Sequence, residues 1–169
     1  MRRESDVDLA RETEVRQMLS TAWGLNVVKL EDEDDWSPVD STLWTLGPDP
    51  VLVGVVEIKA RPDIHYGQYD SLFFSDDKWA KLVIKEMEWL VPGYMVWFLP
   101  SDNNKLLYTH AMNTDRAGLV WPDGRTDRGD KNDIEDMIHL PWSVPWAVRY
   151  GRRPTIIGRH IAMLEGRLT

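Results

Sequence analysis

Two residues of opposite charge, Glu57 and Lys59, lie at the end of the most apolar stretch of the sequence. Side chains two residues apart in a strand lie on one face, so both should emerge together while Ile58 points to the other face. Ionised groups in such a place cost free energy unless they pair with each other or bind an ion. The pattern therefore indicates either a structural ion pair at the end of the strand or a functional site that uses charged side chains.

A second carboxylate, Asp40, stands 17 residues before Glu57, on the other side of the turn Gly47-Pro48-Asp49-Pro50. If the strands that flank this turn are neighbours, the two carboxylates come close together. Carboxylates in that position repel each other unless a divalent cation lies between them. The spacing therefore predicts a site for Mg²⁺ or Mn²⁺.

A third acid is available on the helix predicted over residues 6–23, whose apolar residues recur at the spacing of one helical face. At about 100° per residue, Glu12 lies roughly 50° from the centre of this apolar stripe and Glu14 roughly 110° from it. We therefore favour Glu12 as the inward acid. Glu14 on the flank is the alternative, and either could instead be an ordinary solvated acid.

Cationic and polar side chains that could contact a phosphate backbone lie on the second predicted helix and in the loop before it. Lys78, Lys81 and Lys85 recur on one face of the helix predicted from Asp76 to Val91, as a basic strip or as a solvated face. Lys78 is nearest the helix start and so nearest the strand ends. The preceding loop adds residue types that contact nucleic-acid backbone or unpaired bases, namely Arg61, His65, Tyr66, Gln68 and Tyr69.

These side chains must be positioned by a mixture of helices and strands. Hydrophobic periodicity and turn residues predict strands over 25–30, 38–46, 51–60, 94–99 and 105–110, the last two as a hairpin. Ser75 is the predicted N-cap of the second helix. The C-terminal part is less regular: a short helix is expected over 133–139, no regular structure over the PWSVPW segment, and a terminal helix over 155–168. The expected architecture is an α/β or α+β domain with a central mixed sheet flanked by helices.

Composition excludes several other classes of protein. The chain has 169 residues, a net charge of −8 and no cysteine, which excludes a disulfide framework, a thiolate zinc site and a cysteine nucleophile. No apolar run is long enough to span a membrane, and a cytoplasmic location is expected. The motifs GxxxxGK[ST], GxGxxG, GxSxG and HExxH are absent. The acidic total argues against bulk coating of nucleic acid but leaves a local contact open.

Three further features have alternative interpretations. The acidic run Glu31–Asp35 is typical of a solvated loop, with metal binding as the alternative. The nine tryptophans favour core or interface positions over base stacking. A basic group in the C-terminal third could extend a DNA-binding surface or contact a partner, and consists of Arg149, Arg152, Arg153 and Arg159.

Taken together, Val39-Asp40, the 17-residue interval and Glu57-Ile58-Lys59 resemble the PD-(D/E)xK nuclease superfamily, in its small phage-type or resolvase-like members. The helix that carries Glu12 stands before this motif, and a helix that starts Ser75-Asp76-Asp77-Lys78-Trp79 follows it. The resemblance covers about residues 7–110, as a restriction-endonuclease-like core in the order α-β-β-β-α-β, with residues 111–169 as decoration of a single domain. One departure is that Val39 separates Pro38 from Asp40.

The resemblance implies a divalent metal bound by Asp40, Glu57, the main-chain carbonyl of Ile58 and Glu12, with Lys59 beside the attacking water. From the helix spacing and the loop composition described above, the residues expected to contact DNA are Lys78, Lys81, Arg61 and Gln68. The expected activity is Mg²⁺-dependent hydrolysis of DNA phosphodiesters, with endonucleolytic cutting favoured and a homodimer left open. The alternative is a non-catalytic module that retains the nuclease fold and binds DNA or protein.

Overall fold

The computed structural model describes residues 6–30, 39–115, 119–124 and 134–167, so the acidic run Glu31–Asp35 lies outside the described residues. Within these ranges the chain forms three helices and nine strands. In chain order they are α1 (Asp6–Trp23), β1 (Asn26–Lys29), β2 (Ser41–Trp44), β3 (Leu52–Ala60), β4 (Ser71–Ser75), α2 (Asp76–Trp89), β5 (Gly93–Leu99), β6 (Lys105–His110), β7 (Val120–Gly124), β8 (Ile134–Pro141), β9 (Trp146–Ala147) and α3 (Thr155–Leu164).

The strands form two sheets. The larger sheet has six strands in the order β1-β2-β3-β5-β6-β9, and the smaller has three in the order β4-β8-β7. β3 and β5 are parallel and are connected through β4 and α2, whereas the other neighbouring pairs are antiparallel. The central mixed sheet flanked by helices that the sequence predicts is confirmed.

The central strand β5 shows how the two faces of the large sheet are covered. Tyr94, Val96 and Phe98 pack on one side in a core that includes residues of α1 and α3. The intervening residues, among them Trp97, pack on the other side with α2 and the small sheet. Because both faces are covered, β5 is apolar throughout. The expected core role of tryptophan is confirmed for Trp23, Trp79 and Trp97, which are buried.

The C-terminal third differs from the sequence-based expectation. The helix predicted over 133–139 is wrong, because Ile134–Pro141 is strand β8, with Ile138 and Leu140 buried at a period of two. β8 pairs with β4, a strand that the sequence analysis treated as loop. Both assignments depend on a pairing across more than sixty residues of sequence, which local periodicity does not register. The PWSVPW segment also contributes regular structure, since Pro141 ends β8 and Trp146 begins β9.

The helix ends agree more closely with local signals. Ser75 caps α2 as predicted, its Oγ accepting a hydrogen bond from the Lys78 backbone N–H at 3.4 Å. α2 ends at Trp89, earlier than predicted, because Leu90 adopts a left-handed conformation with φ of 55°. α3 ends at Leu164 instead of Leu168. Among the described helices, none is both long and apolar enough to cross a membrane.

Two glycines provide a paired test of the packing. A Cβ added at Gly54 on β3 would lie 2.9 Å from Leu43 Cδ1 and 3.1 Å from the Pro92 carbonyl oxygen. We expect Gly54→Ala to lower the free energy of unfolding by about 1–3 kcal/mol, because the added methyl overpacks the core. Gly158 in α3 has nothing within 4 Å of such a Cβ, so Gly158→Ala should raise it by roughly 0.5–1 kcal/mol. Urea denaturation of both variants checks this, and equal stabilities would contradict it.

Candidate active site

Glu57 is an acidic side chain placed inside the protein by a core strand. It lies on β3 with 1% of its surface exposed. Its neighbour Ile58 belongs to the core cluster on the α1 and α3 side, and Val55 belongs to the opposite cluster. Glu57 and Lys59 therefore share the face of β3 that α2 covers, and the prediction that Ile58 points the other way is confirmed.

Two ammonium groups neutralise the Glu57 carboxylate. Lys78 Nζ lies 2.6 Å from Glu57 Oε1, and Lys59 Nζ lies 3.3 Å from the same oxygen. Lys78 reaches this point because α2 starts immediately after β4 and Ser75 fixes its first turn. The Lys78 side chain remains 42% exposed and the Lys59 side chain 25% exposed. Both cations therefore face the buried acid while part of each still meets solvent.

Asp40 lies immediately before β2 and next to this group. Its Oδ2 accepts a hydrogen bond from the Ile58 backbone N–H at 2.6 Å, and its own N–H donates to Val56 at 3.1 Å. Since Ser41 pairs with Val56, the antiparallel register brings Asp40 opposite Glu57. The N–H and C=O of a strand residue point to the same side, so the Ile58 carbonyl also faces the Asp40 side of β3. The predicted convergence of Asp40 and Glu57 is present.

The electrostatics of the pair are unfavourable for an ionised Glu57. Burial raises the pKa of Glu57 above its ordinary value, and the negative charge of Asp40 raises it further, against the opposing effects of Lys59 and Lys78. Burial acts to lower the pKa of Lys78, but the Glu57 carboxylate outweighs it and the pKa of Lys78 is raised. The buried Glu57 carboxylate, with Asp40 beside it, therefore needs more positive charge to stay ionised than the acid of an ordinary ion pair does.

Aromatic side chains pack beside Lys59. The Lys59 ammonium lies 5.8 Å from the ring centroid of Phe74. The Phe74 ring in turn makes edge contacts with Trp79 and Trp97, each at a centroid distance of 6.2 Å. The sequence does not predict Phe74 as a site residue, because it predicts a loop over the residues that form β4. Buried and half-buried residues alternate along Ser71–Ser75 in the structure, but the sequence SLFFS does not alternate between polar and apolar residues and so gives no local signal for a strand.

The helix-borne acid is placed differently from the expectation. Glu12 is the more buried of the two candidates, with 14% of its side chain exposed, while Glu14 is exposed. Glu12 forms an ion pair with Arg16 at 3.5 Å, one turn further along α1, and α1 packs on the face of the sheet opposite Glu57. In the described part of the chain, no three His, Cys, Asp or Glu side chains are grouped so that they could hold a metal ion. The structure therefore brings together two of the three predicted acids.

The residues predicted to contact nucleic acid are engaged within the protein. Arg61 lies 4.9 Å from the Phe73 ring centroid and donates to the Phe73 carbonyl at 3.3 Å. Gln68 Oε1 accepts from the His65 backbone N–H at 2.9 Å, within the loop after β3. Lys81 pairs with Asp77 at 2.7 Å on the surface of α2. Arg61 continues the row of Glu57 and Lys59 along β3, whereas Gln68 shapes the loop.

A second buried acid, Glu86 on α2, has a structural explanation. It accepts hydrogen bonds from His110 Nε2 and, at 3.3 Å, from the Met112 backbone N–H. These contacts tie α2 to the end of β6. These two donors account for the Glu86 carboxylate, whereas Glu57 is a buried acid beside a second carboxylate and calls for another explanation.

The donor set at Asp40 and Glu57 fits a small hard cation. Carboxylate and carbonyl oxygens are the ligands that Mg²⁺ prefers, and Mg²⁺ is commonly held by only one or two carboxylates while it keeps several waters. Two acids with the Ile58 carbonyl nearby satisfy this requirement without a third. Positive charge added at this site would also relieve the repulsion between the Asp40 and Glu57 carboxylates.

The mixed sheet, the paired carboxylates on adjacent strands and the lysine two residues after Glu57 define a member of the PD-(D/E)xK nuclease superfamily. Within it, a family model described as "Phage putative PDDEXK endonuclease" matches residues 1–145, and the chain belongs to that family.

Two other comparisons add little to this assignment. No curated protein matches the chain. A solved structure that matches it is Hjc, a Holliday junction resolvase from the archaeal hyperthermophile Archaeoglobus fulgidus. The two are 15% identical, the match covers 78% of this chain and 87% of the resolvase, and the TM-score is 0.47.

Proposed function

We propose that this protein is a Mg²⁺-dependent endonuclease that hydrolyses DNA phosphodiester bonds at the site of Asp40, Glu57 and Lys59. The observation that carries the proposal is the pair of carboxylates on adjacent strands, one of them buried and each a cost to the other. An ion pair at Glu57 gives no electrostatic reason for a second carboxylate beside it, since the charge of Asp40 disfavours the ionised form of Glu57. The nuclease family of the chain supports the same reaction class.

Asp40, Glu57 and the Ile58 carbonyl would hold the metal, which stabilises charge on the phosphoryl group and lowers the pKa of water when bound. Glu12 is not part of this ligand set, because α1 packs on the other face of the sheet, and Mn²⁺ is the alternative ion. Lys59, held beside Glu57 at 3.3 Å, donates hydrogen bonds that orient the attacking water toward phosphorus. The apolar contact with Phe74 limits the positions open to its ammonium group.

Lys78 serves the reaction as a phosphate contact. Its ammonium neutralises Glu57 at 2.6 Å and still has access to solvent, so it can also meet a non-bridging phosphate oxygen. Lys81, Arg61 and Gln68 extend this contact along α2 and the loop after β3. Arg61, directly after the end of β3, follows Glu57 and Lys59 at the same two-residue spacing, so its guanidinium can contact the DNA backbone beyond Lys59.

The alternative is a non-catalytic module, and the two lysines on Glu57 keep it in consideration because they already neutralise that acid. Incubation of plasmid, branched and single-stranded DNA with Mg²⁺ and with Mn²⁺ separates the two. We expect cutting of at least one of these DNAs in either metal and none in EDTA. Survival of all of them in both metals would reject the enzyme and favour the binding module.

A further inference from the structure

The C-terminal part of the chain, from the middle of β8 onward, has a composition unlike the rest of this acidic chain. From Met137 to Leu164 there are four arginines and no aspartate or glutamate. Within it, Trp146–Arg153 forms what we name the arginine turn. Its two sides are joined by a bridge between Arg149 and Arg152, with the Arg152 N–H donating to the Arg149 carbonyl at 3.1 Å. Gly151, with φ of 71°, provides the left-handed conformation that the turn requires.

The side chains of the arginine turn face solvent. Tyr150 at its tip is 81% exposed and Trp146 at its start is 70% exposed. Arg149, Arg152 and Arg153 are all exposed. The base of the turn is fixed, because Val148 donates its N–H to the Leu106 carbonyl at 2.9 Å and packs against the core. A rigid base therefore presents two large aromatic rings and three guanidinium groups outward.

The three arginines of the turn have no carboxylate partner among the described residues. Seven other basic side chains do pair with acids, namely Arg16, Lys59, Lys78, Lys81, Lys85, Lys105 and Arg167. An unpaired cluster of like charges raises the energy of the free protein and gains most from an anionic partner. The turn is therefore suited to a ligand with several negative charges.

The position of the turn relates it to the candidate active site. Pairing across the large sheet aligns Ile58 with Val96, Tyr108 and Trp146. Trp146 is thus three strands from Ile58, which is about 14 Å at the usual strand spacing. β9 runs in the same direction as β3, so the turn that follows β9 lies at the same end of the sheet as Lys59, which is next to the last residue of β3. At about 3.4 Å of rise per nucleotide, this separation corresponds to roughly four nucleotides of one DNA strand.

We propose that the arginine turn is a DNA contact, in which Arg149, Arg152 and Arg153 bind backbone phosphates and Tyr150 stacks on an unpaired base. The proposal rests on the proposed function, since it names how the same substrate is held. Arginine and exposed aromatic side chains together form the surface that binds single-stranded or partly unpaired nucleic acid. The family model ends at residue 145, one residue before the turn begins, so the turn is a feature of this chain beyond the shared part.

Binding of labelled oligonucleotides in EDTA, where cutting does not interfere, tests the phosphate contacts. We expect Arg149→Gln/Arg152→Gln to weaken duplex binding by on the order of tenfold or more near ~0.1 M salt. The slope of log affinity against log salt should fall in magnitude by about 1.8, from about 0.9 for each lost phosphate contact. The control Lys29→Gln/Arg167→Gln removes the same charge from exposed residues away from the turn and should leave the slope unchanged.

Tyr150 tests the stacking contact separately. Tyr150→Ala should weaken binding of a labelled single strand at least about fivefold, while the salt slope stays the same. Tyr150→Phe keeps the ring and should bind like the parent. An equal loss of DNA affinity in the two double variants would show a general charge effect and overturn the proposal. Unchanged DNA affinity of Arg149→Gln/Arg152→Gln would overturn it as well.

Failure of this proposal is distinguishable from failure of the nuclease. If the parent binds DNA through the turn but cuts none in Mg²⁺ or Mn²⁺, the proposed catalysis is wrong and the turn stands. If the parent cuts DNA and the turn variants bind normally, the turn proposal is wrong and the catalysis stands. If the parent binds no DNA in EDTA, the turn proposal is overturned, and cleavage in Mg²⁺ or Mn²⁺ decides the catalysis separately.

Discussion

Replacement of Glu57 by glutamine is expected to slow DNA cleavage by about 1000-fold or more, because a metal contributes several kcal/mol to such a reaction and each ~1.4 kcal/mol is tenfold in rate. Glutamine keeps the size of the side chain and an oxygen that can accept from Lys78 and Lys59. The loss would therefore reflect the missing charge. Single-turnover cleavage of the DNA that the parent cuts best provides the rate, and calorimetric titration with Mn²⁺ provides the affinity for metal.

Glu88→Gln is the matched control for this experiment. It makes the same chemical change on α2, at an acid that pairs with Lys85 and is half exposed, and it should cut DNA like the parent. Asp40→Asn retains an acceptor for the Ile58 N–H and should lose activity as Glu57→Gln does. Parent-like cleavage and Mn²⁺ binding by Glu57→Gln would reject the assignment of this site.

Replacement of Lys59 by methionine is expected to lower the cleavage rate by roughly 10²–10⁴-fold, the range typical of a group that handles a proton or orients a nucleophile. Methionine preserves the length and the contact with Phe74, so the fold should persist. Mn²⁺ affinity should be retained, because Lys59 is no ligand and its removal leaves Asp40 and Glu57 in place. Rate and Mn²⁺ affinity are measured as for Glu57→Gln.

The control for Lys59 is Lys29→Met, which removes a cation from an exposed position on the edge strand β1. It should leave the cleavage rate unchanged. A purely structural Lys59 would give the opposite pattern: thermal denaturation would show a loss of stability, and cleavage by the folded fraction would equal that of the parent. That result would favour the ion-pair interpretation.

Some of the site could be predicted because it depends on local rules. The two-residue period of a strand predicts that Glu57 and Lys59 share a face, and the turn at Gly47–Pro50 predicts that Asp40 returns to their level. The helical wheel correctly ranks Glu12 as more buried than Glu14. Each of these results needs information from only a few neighbouring residues or one turn.

Other parts could not be predicted because they depend on how separate elements meet. The contact between Lys78 and Glu57 requires the position of α2 against β3, which no spacing within either element specifies. The burial of Glu86 requires His110 from β6. The separation of Glu12 from the acid pair follows from α1 packing on the opposite face of the sheet, and β4 becomes visible only through its pairing with β8.

The pairing of β4 with β8 makes the start of α2, which carries Lys78, depend on residues far along the chain. Ser71–Ser75 leads directly into the first turn of α2, and β8, its neighbour, spans Ile134–Pro141. A truncation after residue 115 would keep Asp40, Glu57, Lys59 and Lys78 but remove the strand that aligns the start of α2. The shortest fragment able to assemble this centre must therefore extend through Pro141.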